Sequence, residues 1–134
     1  MPMEVRIEKR SDGSYIAYNP DSEKFGIIGT GETVSAAKED FFNSIEEIKD
    51  VLRENNEEIP VGLLGDPMFY FDISSLFEYF NMINVGAFAR SIGINDSLMR
   101  QYKRGDTYIS DSQLNKIETG IHQIGQELTE LKLM

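Results

Sequence analysis

Between Val85 and Arg104 the sequence VGAFARSIGINDSLMRQYKR sets two short amphipathic stretches on either side of Gly93-Ile94-Asn95, and few folds accommodate that arrangement. A helix of two turns cannot hold itself in water, because nucleating its first turn costs more than so few hydrogen bonds recover. Two such helices must cover each other, and the residues meet that need. Val85 to Ile92 and Asp96 to Arg104 predict the pair; Ala89 is small where they would cross, Gly93 supplies the positive φ of a tight turn, and Gly105 suits a left-handed C-terminal position. Phe88, Ile92, Ile94, Met99 and Tyr102 fall on the facing sides, which leaves Ser97, Arg100, Gln101 and Arg104 outward on the second helix, with Asn95 as its cap.

Ser110 to Leu133 predicts a last helix, with Ser110 or Asp111 as cap. Its apolar residues Leu114, Ile117, Ile121, Ile124, Leu128 and Leu131 are spaced 3, 4, 3, 4, 3, the spacing of a heptad seam. The first half of that seam is expected to close the core of the helix pair; the second half runs past it and suits a second copy, so a homodimer or higher homo-oligomer is expected. His122 lies off the seam, and one histidine makes no metal site.

The phasing of 85–104 resembles the helix-turn-helix of phage-repressor-like regulators. That resemblance implies double-stranded DNA as ligand, with the second helix in a groove and Ser97, Arg100 and Gln101 as base readers. Arg can donate twice to guanine O6 and N7, and Gln can pair in two-point fashion with adenine. Lys103, Arg104 and either Tyr102 or Tyr108 would hold phosphates, and Asn95 would anchor the helix start. An ordinary helical hairpin is the competing reading, but a merely solvated face more often carries Glu and Lys.

The first half alternates in a different rhythm. In Glu4 to Arg10, Val5 and Ile7 face one way and Glu4, Arg6 and Glu8 the other, the period of a half-buried strand. Ser11-Asp12-Gly13-Ser14 predicts a turn, Tyr15 to Tyr18 a second strand, Asn19-Pro20-Asp21-Ser22 another turn and Phe25 to Ile28 a third strand, followed by a Gly29-Thr30-Gly31-Glu32 loop. Thr33 then caps a helix whose apolar positions are Val34, Ala37, Phe41, Ile45, Ile48 and Leu52. Asn55 to Pro67 is expected to be a loop, Met68 to Ile73 a fourth strand, and Ser74 or Ser75, or else Asp72, the cap of a short helix through Phe80. Domains of 1–73 and 74–134 follow.

Net charge is −10, but it is unevenly placed. Residues 1–67 hold 7 basic against 15 acidic side chains and residues 68–134 hold 6 against 8, while within 85–109 the count is 4 basic to 2 acidic. A basic patch therefore sits on an acidic chain, whose first half would repel a polyanion and attract a basic protein. There is no cysteine, which excludes disulfides, thiolate nucleophiles and cysteine-ligated zinc. No apolar leader and no apolar run of membrane-spanning length is present, so a cytoplasmic, soluble protein without membrane contact is expected.

SDGSYIAYNPD, GIIGTGET and SAAKEDFFNSIEEIKDVL, in that order, resemble the N-terminal domain of HicB-type antitoxins, whose members often append a helix-turn-helix. The stretch Pro20-Asp21-Ser22-Glu23-Lys24 departs from the Pro-Asp-Leu-Pro-Gly type turn frequent there. The resemblance implies an α+β chain: a small antiparallel sheet with one packed helix, a truncated RNase-H-like fold, then an all-α DNA-binding domain. It also implies the antitoxin of a type II toxin–antitoxin pair, which neutralises a small basic HicA-type mRNA interferase and represses its own operon. Glu39, Glu46, Glu47 and Asp50 are then the toxin-contact candidates, on an acidic helix face, beside the sheet edge. A stand-alone helix-turn-helix regulator is the alternative. A metal-dependent nuclease is disfavoured, because Glu4, Glu8 and Asp72 are scattered carboxylates without the converging set that two metal ions require; no enzyme activity and no cofactor is expected.

Overall fold

A computed structural model describes residues 2–21 and 26–134. The chain forms two compact units divided between Asn81 and Met82. In the first, alternation works as the sequence implies. β1 (Glu4–Lys9), β2 (Tyr15–Tyr18), β3 (Ile28–Gly31) and β4 (Met68–Phe71) make one sheet in the order β3-β2-β1-β4. The register aligns Ile7 with Ala17 and Phe71, and Ala17 with Gly29, so one face gathers the small and apolar residues. Helix α1 (Val34–Glu54) covers that face with Val34, Ala37, Phe41 and Ile45 buried against Val5, Ile7 and Ala17.

The expectation of an antiparallel sheet holds for β1, β2 and β3 only, since β4 pairs parallel with β1. The long α1 is the reason. β3 runs in the direction of β1, and a helical crossover returns the chain to the other edge to start a strand the same way round. The sheet is therefore mixed. It also carries more than the one expected helix: α2 (Ile73–Tyr79) packs on β1 and on α1.

The third strand differs from the expected Phe25 to Ile28. Phe25 lies outside the described residues, as do Ser22, Glu23 and Lys24 of the expected turn, and the strand runs through Gly29, Thr30 and Gly31, which the sequence assigned to a loop. These glycines are not turn residues here. A Cβ on Gly29 would lie 2.3 Å from the backbone nitrogen of Phe41, and one on Gly31 would lie 2.6 Å from the Ala36 side chain, so α1 sits on the strand backbone itself. Beyond α1, the expected loop holds a single 3-10 turn, Val61–Leu63, that buries Leu63 in the core.

Asp72, rather than Ser74 or Ser75, starts α2. One carboxylate oxygen accepts from the backbone N–H of Ser75 at 2.8 Å and the other from that of Lys9 at 2.9 Å, tying the helix start to the end of β1, while both serines are buried inside the helix. The division between units consequently falls after α2, later than the boundary expected at Ile73. Glu78 reaches back from α2 to accept from the Val34 N–H at 2.9 Å, and Thr33 accepts from Ala36 at 3.0 Å, so two side chains satisfy the start of α1.

In the second unit α3 (Val85–Ser91) and α4 (Asp96–Arg104) are joined through Gly93, with φ +76°, and α4 closes on Gly105, with φ +80°, as expected. Phe88, Ala89, Ile94, Met99 and Tyr102 are buried and Ile92 half-buried. α5 (Asp111–Glu130), capped by Ser110, buries Ile117 and Gly120; a Cβ on Gly120 would lie 2.6 Å from Ile92 and 3.2 Å from the Phe88 ring.

Gly29→Ala should destabilise the first unit by about 1–3 kcal/mol, because the methyl must displace helix backbone rather than a side chain. Urea unfolding followed by far-UV circular dichroism measures this; a change within error would contradict the close approach.

Candidate nucleic-acid interface

The outer surface of α4 is set by three local constraints. Asn95 places its side-chain oxygen 2.8 Å from the Ser97 N–H and 3.4 Å from that of Leu98, which fixes the first turn. Met99 and Tyr102 are buried beneath the helix, and this fixes its rotation. Gly105 donates to the carbonyls of Gln101 and Tyr102, and this fixes its end. Ser97, Arg100, Lys103 and Arg104 are exposed as a result, on one helix whose rigid ends leave the side chains as the adjustable part.

The arginines are not equivalent. Arg90 of α3 bonds Asp96 in the first turn of α4 at 2.5 Å, and Arg104 bonds Asp106 at 2.6 Å. Arg100 is exposed and forms no ion pair among the described residues. The two pairs consume both acidic side chains of 85–109 and leave Arg100 as the arginine of this segment that neither of them engages.

Each expected residue can be placed. Ser97 and Arg100 share the open face. Gln101 is half-buried, and its amide oxygen accepts from the Thr107 hydroxyl at 2.9 Å, so it starts from an intramolecular partner. Asn95 is spent on the cap. Of the two tyrosines, Tyr102 is in the core and Tyr108 stands out at 85% exposure, so only Tyr108 can reach a phosphate. The Arg90–Asp96 and Gln101–Thr107 pairs escaped sequence reasoning, because their spacing of six crosses a turn and follows no helical or strand period.

On the first unit Glu39, Glu46, Glu47 and Asp50 are all exposed on α1. Glu46 pairs with Lys49 at 3.4 Å and Asp50 with Arg53 at 3.1 Å, whereas Glu39 and Glu47 form no ion pair among the described residues. The sheet face away from α1 presents Arg6, Ile28, Met68 and Tyr70 exposed and Glu8 and Tyr18 half-buried. Burial raises the Tyr18 phenol above its ordinary value, with the hydrogen bond it donates to Glu8 at 2.8 Å adding to this. Glu4 is held by Arg6. Among the described residues no group of three or more His, Asp or Glu side chains is placed to hold a metal ion, and no helix is long and apolar enough to cross a membrane.

The charge division is sharper by unit than by half. Residues 1–81 carry 7 basic and 17 acidic side chains, a net of −10, and residues 82–134 carry 6 and 6, a net of zero. Comparison with protein families, with characterised proteins and with solved structures gives no match.

Asn95→Ala should cost the second unit about 1 kcal/mol by removing the side-chain cap of α4. Thermal unfolding of the intact chain measures it, and an unaltered midpoint would show that α4 holds its first turn without the cap.

Proposed function

We propose that this chain is an operator-binding antitoxin: the C-terminal unit is a helix-turn-helix that lays α4 in the major groove of double-stranded DNA, and the N-terminal unit is a truncated RNase-H-like domain that covers a small basic HicA-type mRNA interferase. The observation that carries the first half is Arg100, exposed and without an ion-pair partner on a helix fixed at both ends. A guanidinium so placed can donate in bidentate fashion to guanine, and Ser97 one turn earlier faces the same way. Lys103, Arg104 and Tyr108 surround it as phosphate contacts, which set register without reading sequence.

The second half rests on the resemblance to HicB-type antitoxins and on charge. A protein that grips RNA must be basic, and a unit of net −10 attracts such a partner through complementary potential. In this reading the chain performs no chemistry; it blocks the toxin's RNA-facing surface with the acidic face of α1.

Arg100→Ala should weaken binding to the chain's own promoter by about 1–3 kcal/mol, roughly fivefold to more than a hundredfold, with an unchanged circular dichroism spectrum. Anisotropy titration at fixed salt measures this, and unchanged affinity would remove α4 as the reader. The double substitution Glu39→Lys, Glu47→Lys should slow association with the basic product of an adjacent reading frame by roughly tenfold at low salt, an effect that fades as salt is raised. Stopped-flow mixing resolves it. Failure of any basic neighbour to co-purify would leave a regulator without a toxin.

A further inference from the structure

The sheet of the first unit closes one of its edges and leaves the other open. On β3, side chains of α1 meet two backbone groups that turn outward: Asp40 accepts from the Thr30 N–H at 2.9 Å, and the Ser44 hydroxyl donates to the Ile28 carbonyl at 3.2 Å. β4 is treated differently. Met68 donates to the Met3 carbonyl and Asp72 to that of Ile7, so in this parallel pair Met68 and Tyr70 turn their backbone toward β1 while Phe69 and Phe71 turn theirs away. The Phe69 N–H and C=O and the Phe71 N–H form no hydrogen bond among the described residues.

An unpaired row of amides templates another strand, and proteins usually guard it with a charge, a proline or a bulge. Met68-Phe69-Tyr70-Phe71 has no charge and no proline. Both of its faces are apolar. Met68 and Tyr70 are 52% and 53% exposed on the outer face. On the helix face the Phe69 ring meets that of Phe42 at 6.0 Å, and the Phe71 ring meets Tyr79 at 5.9 Å and Phe80 at 6.1 Å. Lys38 of α1 stands 4.3 Å from the Phe69 ring centroid and 4.4 Å from that of Tyr79, which braces the two rings against the helix. A strand laid beside β4 would bring its side chains to roughly 5 Å from these residues in matching rows.

We propose that β4 is a strand-acceptor site, at which an extended segment of a second, basic protein pairs with the open edge through backbone hydrogen bonds. Its apolar side chains lie along Met68 and Tyr70 on one face and along Phe69, Phe71 and Phe42 on the other. Charge decides the occupant. The unit carries 7 basic and 17 acidic side chains, so pairing two copies edge to edge would join two bodies of net −10, whereas an apolar strand flanked by Lys or Arg is drawn in. Asp66, just before β4, and Glu39, one turn from Phe42 on α1, are exposed and form no ion pair among the described residues. Both supply carboxylates beside the edge. A basic strand of any origin has this chemistry, so the site stands whether or not the chain has a toxin partner or an operator.

Amide hydrogen exchange of the full chain, followed by nuclear magnetic resonance, tests this with a capped probe peptide whose Val-Phe-Val-Phe centre lies between paired lysines. At saturating peptide the Phe69 and Phe71 amides should exchange about tenfold more slowly or less, while those of Met68, Tyr70 and Thr30, bonded already, keep their rates. N-methylation of alternate central amides keeps the probe's side chains and removes its donors; it should weaken binding about tenfold, and glutamate in place of the lysines should weaken it similarly at low salt. Phe69→Pro removes an N–H that β1 does not use, so the circular dichroism spectrum should persist and the protection of Phe71 should be lost. The methylated probe leaves the protein unaltered and decides the matter even if that variant fails to fold. Absence of binding, equal binding of the plain and methylated probes, or protection spread evenly along β4 would overturn the proposal. Protection of Phe69 and Phe71 that is present without peptide and grows with protein concentration would overturn it too, by giving the edge to a second copy. Arg100→Ala should bind the probe as the wild type does, so failure of the operator reading and failure of this site give different results.

Discussion

A helix can approach a sheet only as far as the side chains between them allow, and at Gly29 there is no side chain. The 2.3 Å that would separate a Cβ there from the Phe41 backbone nitrogen means that α1 rests on the strand itself, and the arrangement of the first unit follows from that contact. With the helix so close, Phe41 fills the space beside Gly29 and is fully buried, and the apolar residues of β1 and β2 need only be of moderate size. The edge position of β3 follows too. A strand with two glycines has little to pack on a neighbour, but it can still pair through its backbone with β2 while the helix covers it.

The same device recurs in the second unit with a different result. Gly120 lets α5 press on Phe88 and Ile92, so the helix pair gains its third partner where α5 buries Ile117 and Gly120. This short contact suffices because α3 and α4 are held by their ends: Asn84 caps α3, Asn95 caps α4, and Gly93 and Gly105 take the left-handed positions that the turns require. The last turns of α5 lie outside this contact, with Leu128 exposed.

Legibility in the sequence tracked the range of the interaction. Caps at Thr33, Asn95 and Ser110, the glycine turns, the alternation in β1 and the periodicity of α1, α4 and α5 are local, and the sequence displays them directly. β3 was misplaced because glycine in a strand and glycine in a turn look alike until the helix that lies on it is known. The parallel pairing of β4 was hidden for a related reason, since strand direction depends on where a crossover lands. For Asp72 the sequence offers a helix cap or a scattered surface carboxylate, and the Lys9 N–H that makes it a junction lies 63 residues away in the chain. At α4 the outward positions of Ser97 and Arg100 were legible from phase alone, whereas Gln101 was not, because its Thr107 partner belongs to the following loop.

The ion pairs around α4 bear on how an acidic chain can approach a polyanion at all. Arg90–Asp96 and Arg104–Asp106 join groups that are largely exposed, and such pairs contribute about 0–1 kcal/mol in water because solvent screens both members. Their weakness suits the proposed role. Each carboxylate holds its arginine through one N–O contact; in the proposed complex a phosphate would exchange one oxyanion for another at little cost. Arg100 has no such exchange to make, so in the proposed operator complex it would enter a groove directly. The three arginines of this segment thus divide by pairing rather than by position along the chain, with paired arginines at the flanks and an uncommitted one on the exposed face. Net charge, summed over the chain, reports none of this, because the acidic excess lies wholly on the other unit.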